Sequence, residues 1–156
     1  LVNTDFSKVK SVLFVCTGNT CRSPMAEGLF KFLTKDKFET ASAGLMSVDG
    51  FGAAADAIDV MKEFNIDISG HKSQALTLDM INHFDLIVVM EQRQKYKILE
   101  MAPFAADKIF LLTEFNGDKE HEDIFDPIGF SREYYKKCFE MINKHVFSLI
   151  DILLKY

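Results

Sequence analysis

Val12-Leu13-Phe14-Val15-Cys16-Thr17-Gly18-Asn19-Thr20-Cys21-Arg22-Ser23-Pro24 decides how this chain folds. Its apolar start reads as a buried strand over 11–15. Met25-Ala26-Glu27-Gly28-Leu29-Phe30-Lys31-Phe32-Leu33 reads as a helix over 24–34, with Pro24 at its first position. Between them lies a strand-to-helix turn with two residues tolerant of left-handed backbone, Gly18 and Asn19. Such a turn presents backbone N–H groups at a helix N-terminus, which suits an anion. The five residues between Cys16 and Arg22, with Arg22 itself, offer six N–H donors. Each phosphoryl oxygen accepts about two donors, so the spacing fits one phosphoryl group above the sulfur of Cys16. Arg22 adds a bidentate fork to the same oxygens. A plainer reading puts a buried Cys16 at a strand end and Arg22 on the surface. Gly-Asn inside, Ser-Pro after, and the flanking strand and helix favour the anion loop.

Outward from this stretch, strand and helix patterns alternate. Phe38–Gly44 alternates and ends in glycine, a second strand. A loop over 45–52 carries the turn signal Asp49-Gly50. A helix over 53–64 keeps Ala54, Ala57, Ile58, Met61 and Phe64 on one face. Ile66–His71 is extended or turn-like. A short helix over 77–83 has Thr77 as its cap and Leu78, Ile81 and Phe84 facing inward. Residues 85–90 are the clearest buried strand, 92–101 a helix that Pro103 stops, and 108–112 a fourth strand. A polar loop over 113–130 precedes a last helix over 131–155, whose apolar stripe is Tyr135, Phe139, Ile142, Val146, Leu149 and Leu153. The pattern predicts an α/β fold: a small doubly wound four-stranded parallel sheet, helices on both faces, in the flavodoxin-like order 2-1-3-4. Ligands bind such sheets beyond the strand C-terminal ends, and the first strand ends immediately before Cys16.

At 156 residues, with 48% hydrophobic and 26% charged residues, the chain has the size and composition of one globular domain spanning 1–156. A net charge of −5 argues against nucleic acid and means that an anionic substrate needs a local positive site. Cys16, Cys21 and Cys138 are an odd number without disulfide or zinc spacing, which suggests a reducing, cytoplasmic setting. No apolar run approaches the ~18 residues of a membrane span. Leu1-Val2-Asn3-Thr4-Asp5 has no signal-peptide pattern, and residues 1–9 read as a short lead-in.

Thiolate, not thiol, is the nucleophile, and helix N-termini and guanidinium groups favour it. Cys16 then attacks phosphorus and becomes phosphocysteine. Loop amides and Arg22 stabilise the equatorial oxygens, the part a magnesium ion plays elsewhere, so no metal or other cofactor is expected. The leaving group needs a proton from a carboxylic acid, which later takes one from water. Asp126 is the first candidate because Pro127 fixes the chain just after it; Asp118 and Asp123 lie in the same loop. Asp126-Pro127 reads equally well as a plain turn.

Cys16–Pro24 resembles the active-site loop of the low-molecular-weight protein tyrosine phosphatases, and the late Asp126-Pro127 pair matches theirs. The similarity extends over nearly the whole chain, including Ser42-Ala43-Gly44, Ser69-Gly70-His71 and Asp85–Glu91. It implies hydrolysis of phosphotyrosine in a phosphorylated protein, releasing inorganic phosphate, with no membrane or nucleic-acid partner. It implies Cys16 as nucleophile, Arg22 as phosphate clamp, Asp126 as acid then base, and Thr17, Gly18, Asn19, Thr20, Cys21, Arg22 and Ser23 as the phosphate-binding loop. It further implies that Ser23 hydrogen-bonds the thiolate, and that a left-handed Asn19 is tied to Ser42 and His71. Cys21 matches a second family cysteine, able to form a reversible disulfide with Cys16; otherwise it is a small buried filler.

Two departures stand out. Ile128-Gly129-Phe130 follows Asp-Pro where aromatics usually wall the substrate ring, so that wall is weakened or comes from Phe130 or Phe51. Thr20 stands where tyrosine phosphatases commonly have Ile and where the related bacterial protein arginine phosphatases have Thr. Phosphoarginine is therefore the alternative substrate. Arsenate reductases on this fold are also similar around Ile58–His71, but their thiol relay is missing, since residues 72–137 contain no cysteine. A non-catalytic phosphate-binding module would not need nucleophile, clamp and acid together.

Overall fold

The apolar run forms β1, Ser11–Cys16, every residue of it buried. In this computed structural model, which describes residues 4–118 and 120–155, β1 lies inside a parallel sheet with β2 (Glu39–Gly44), β3 (Leu86–Val89) and β4 (Ile109–Leu111). The order is β2-β1-β3-β4, as expected. Val15 pairs with Ala43 on one side and Val89 on the other, so three strands end level beside Cys16. Leu1-Val2-Asn3 of the lead-in lie outside the described residues; Phe6–Lys8 form a 3-10 turn.

Among the described residues, five helices cover the sheet: α1 (Arg22–Thr34), α2 (Ala55–Lys62), α3 (Leu78–His83), α4 (Gln92–Met101) and α5 (Arg132–Leu154). Alternate β1 residues face opposite ways, as the period of a strand requires. Phe14 joins Met25, Phe30, Met61, Phe139 and Val146 in one core, under α1, α2 and α5. Leu13 and Val15 join Ile81, Ile98 and Leu111 in the other, under α3 and α4.

Several local expectations shift. α1 starts at Arg22, two residues early. Met25 N donates to Cys21 O (3.2 Å), so the first turn is already closed within the loop. Pro24 is then the third helical residue, still among the four whose N–H would lack a helical partner. α2 ends at Lys62, short of the expected 64, and Phe64 beyond it still stacks on Phe139 (ring centroids 4.7 Å). Leu78 does not face inward: it is 51% exposed. Leu78 and Ile81, three apart, share a face of α3, but only Ile81, one turn further in, reaches the core. Thr77 caps that helix as predicted, accepting from Met80 N. The loop over 113–130 opens with a 3-10 turn, Leu112–Asn116, that buries Phe115.

Candidate active site

The turn after β1 is shaped by Asn19. Its φ is +56°, left-handed backbone that Asn tolerates better than most residues. Five contacts hold it. Its N donates to Cys16 Sγ (3.3 Å), and its carbonyl accepts from His71 Nε2 (2.7 Å), which fixes the proton of that ring on Nε2. Oδ1 accepts from Gln74 N (2.9 Å), and Nδ2 donates to Ser23 Oγ (2.8 Å) and Ser42 Oγ (2.9 Å). A left-handed residue costs about 1–2 kcal/mol, whereas each hydrogen bond contributes about 0.5–1.5 kcal/mol, so the contacts outweigh the strain. Ser42 Oγ in turn donates a hydrogen bond to Glu27 Oε1 (2.6 Å).

This arrangement orients the sulfur's environment. Ser23 Oγ lies 2.9 Å from Cys16 Sγ. Because Asn19 already donates to Ser23, the serine proton is free to point at the sulfur. Gly44 closes the turn from the β2 side. A Cβ there would stand 2.7 Å from Thr17 O and 2.7 Å from Ser47 Cβ, so only glycine fits.

Arg22 reaches the site from the first turn of α1. It is buried, and its Nη1 donates to Glu91 Oε1 (2.9 Å) and Ile124 O (2.8 Å). Its Nη2 lies 3.6 Å from Asp126 Oδ2. Burial opposes ionisation of Glu91, but hydrogen bonds from Arg93 and Arg22 outweigh it and hold the carboxyl below its ordinary range. Asp126 is the one of the three loop carboxylates named above that lines the depression over the turn, together with Cys16, Gly18, Thr20, Arg22 and Ile128. Asp123 is spent on Gln92 N (2.8 Å), and Asp118 on Asn116 Nδ2 (2.6 Å).

The candidate aromatic wall is not where the sequence suggested. Ile128 lines the depression; Phe130 leans instead on Tyr134 (5.1 Å between rings), and Phe51 is 61% exposed on its loop. Cys21 and Cys16 are free thiols. Burial pushes the Cys21 thiol up, and Tyr135 Oη lies 3.5 Å from its sulfur. Burial likewise pushes Cys138 up to about 12, beside Phe125 O. Both are therefore held as thiols at neutral pH.

Sequence reading missed Glu91, Gln94 and Tyr135. Buried Gln94 donates from Nε2 to Thr17 Oγ1 (3.1 Å) and accepts at Oε1 from Met90 N and Glu91 N (2.9 Å each). The signal for the first two was positional: both follow directly on the C-terminal end of β3, where ligands of such sheets collect. Tyr135 sat in the predicted apolar stripe with no sign that its hydroxyl meets Cys21.

A family model described as low molecular weight phosphotyrosine protein phosphatase matches residues 11–155. The chain is 36% identical over 138 residues to a probable low molecular weight protein-tyrosine-phosphatase of Ralstonia nicotianae, covering 88% of this chain and 92% of that protein. It is 38% identical over 142 residues to a protein-arginine-phosphatase of Geobacillus stearothermophilus, covering 91% and 92%. The structure of a low molecular weight protein tyrosine phosphatase from T. tengcongensis superposes with a TM-score of 0.85 at 41% identity, covering 92% of this chain and 99% of that one.

Proposed function

The chain belongs to the low molecular weight phosphotyrosine protein phosphatase family, and from that premise we propose that it hydrolyses phosphotyrosine in proteins without a metal, through a phosphocysteine on Cys16. The observation that carries this reading is convergence. Cys16 from the end of β1, Arg22 from α1 and Asp126 from the late loop line one depression. Cys16 Sγ attacks phosphorus while the bond to the phenolic oxygen breaks. Asp126, as the carboxylic acid, gives that oxygen its proton. Water then attacks phosphorus, Asp126 takes its proton, and the P–S bond breaks to release inorganic phosphate and the thiolate. The loop over 17–23 is the phosphate-binding loop: its amides and Arg22 hold the equatorial oxygens, and Ser23 hydrogen-bonds the sulfur. Asn19, Ser42 and His71 keep the loop in shape. Free thiols and a thiolate nucleophile suit a reducing, cytoplasmic setting, and residues 1–156 act as one domain.

The test is release of p-nitrophenol from its phosphate ester at mildly acidic pH. Cys16→Ser abolishes it; undiminished turnover in that variant, or none in the wild type, overturns the reading. The required states, Cys16 ionised and Asp126 protonated, give a bell-shaped pH profile.

Phosphoarginine is the second reading. Thr20 lines the depression, where its hydroxyl can meet a guanidinium, and a relative at 38% identity is a protein-arginine-phosphatase. Turnover on phosphotyrosine and phosphoarginine peptides side by side separates the two. Thr20→Ile shifts selectivity towards phosphotyrosine if Thr20 reads the leaving group.

A further inference from the structure

A second cavity, of about 240 Å³, opens beside the loop on the side facing α4. Leu45, Met46 and Thr17 line it, with the stems of Arg93, Gln94 and Lys97. Backbone ties it to the loop: Leu45 N donates to Cys16 O (3.0 Å), and Met46 N to Thr17 O (2.9 Å). The Gln94 amide is already occupied by Thr17, Met90 and Glu91. An apolar side chain entering here therefore strands few polar groups. The volume falls below the roughly 300–1,000 Å³ of typical small-molecule sites, so it suits a single side chain better than a cofactor.

Charge marks the mouth. The Arg93 and Lys97 side chains are 73% and 64% exposed. Lys97 pairs only loosely with Glu100, at 3.7 Å, and exposed pairs of this kind are worth little, so an incoming carboxylate displaces Glu100 at small cost. Arg93 is already held by Glu91, with Asp126 and Asp123 nearby, so Lys97 is the more available cation at the mouth. Met46, Val48 and Phe51 extend an exposed apolar edge from the cavity along the same loop. Such an edge fits a polypeptide rather than a small ester.

We propose that this cavity is a substrate subsite: it takes an apolar side chain close in sequence to the phosphorylated residue, with an acidic neighbour engaging Lys97. The proposal rests on the phosphatase reading above. Thr17 belongs to both loop and cavity, and an extended chain advances about 3.3 Å per residue, so the bound side chain lies within about three residues of the phosphorylated one.

The experiment compares kcat/KM on p-nitrophenyl phosphate with kcat/KM on phosphopeptides of the preferred phosphoresidue, carrying Leu with Glu, Leu with Lys, or Gly with Lys in the flanks. A filled apolar pocket discriminates by about tenfold or more, so the Leu and Glu peptide leads the Gly and Lys peptide by that factor. Met46→Asp and Lys97→Glu each remove most of the lead and leave p-nitrophenyl phosphate turnover unchanged. A flat peptide panel alongside normal ester turnover overturns the subsite alone. An equal fall on ester and peptides in both variants also overturns it, because these residues then support the loop and not the substrate chain. No turnover on any substrate overturns the phosphatase reading and the subsite with it.

Discussion

Glu91→Ala removes the carboxylate that faces a buried guanidinium. The Arg22 side chain is 2% exposed and that of Glu91 11%, at 2.9 Å. Breaking a buried pair by deleting one partner costs about 3–5 kcal/mol, because the remaining charge is left uncompensated. Arg22 keeps the Ile124 carbonyl at 2.8 Å and the Asp126 carboxylate at 3.6 Å, which compensate it in part, so the lower figure, about 3 kcal/mol, applies. The Arg93 contact adds little, since that side chain is largely in solvent. For a chain of this length each kcal/mol moves the Tm by about 2–4 °C, so the expected fall is about 6–12 °C. Glu91→Gln keeps an acceptor for Nη1 and loses only the charge, so its fall is smaller. Phosphate bound in the loop would supply Arg22 with the missing negative charge, and so raises the Tm of Glu91→Ala more than that of the wild type. Thermal unfolding with and without phosphate reads both effects. A Glu91→Ala Tm within about 2 °C of the wild type, or an equal rise with phosphate in both proteins, refutes the reasoning.

Asp126→Ala should lower turnover of p-nitrophenyl phosphate by about 10²–10⁴-fold while leaving phosphate affinity nearly intact; lost affinity, measured by calorimetry, would reassign Asp126 to loop structure. Gly44→Ala forces a Cβ against Thr17 O and should cost about 1–3 kcal/mol, read by urea unfolding, with a parallel loss of turnover. Burial, with Lys144 adjacent, lowers the His145 pKa, and among the described residues its Nδ1 has no hydrogen-bond partner. The unfolded chain therefore binds a proton that the folded one resists. The resulting stability loss is absent above the unfolded value of about 6.5 and grows as the pH falls through it. His145→Leu should gain on the wild type as the pH drops from 8 to 5; parallel stability curves would refute this.

What could be read in advance follows from how local each feature is. β1 and β3 were legible because a strand buried on both faces must be apolar throughout. The α5 stripe was legible because its period survives over 23 residues. Its true buried arc is wider and takes in Cys138 and His145, because α1, α2 and the Leu112–Asn116 turn all pack on it. Leu78 was misread since the spacing of a short helix does not show which of its turns reaches the core. In the loop, the backbone requirement at Asn19 showed in the residue type alone. Its Ser42 and His71 partners came through resemblance, and both contacts are present. Glu91 could not be assigned, since its role depends on the strand register that brings it to Arg22, 69 positions away.

Those separations have a consequence for how the molecule comes into being. The residues that hold the turn arrive late: Gln74 is 55 positions beyond Asn19, Ile124 is 102 beyond Arg22, and Tyr135 is 114 beyond Cys21. Contacts that distant form only after costly loop closure. A nascent chain emerging from the ribosome therefore carries the entire Cys16–Ser23 string long before that string has its shape. Cys16 lacks its ordered Ser23 and Asn19 contacts during synthesis, and the arginine remains in water. Assembly of the anion cradle waits on nearly the last helix, so a partly made or partly unfolded molecule cannot act on a phosphoprotein.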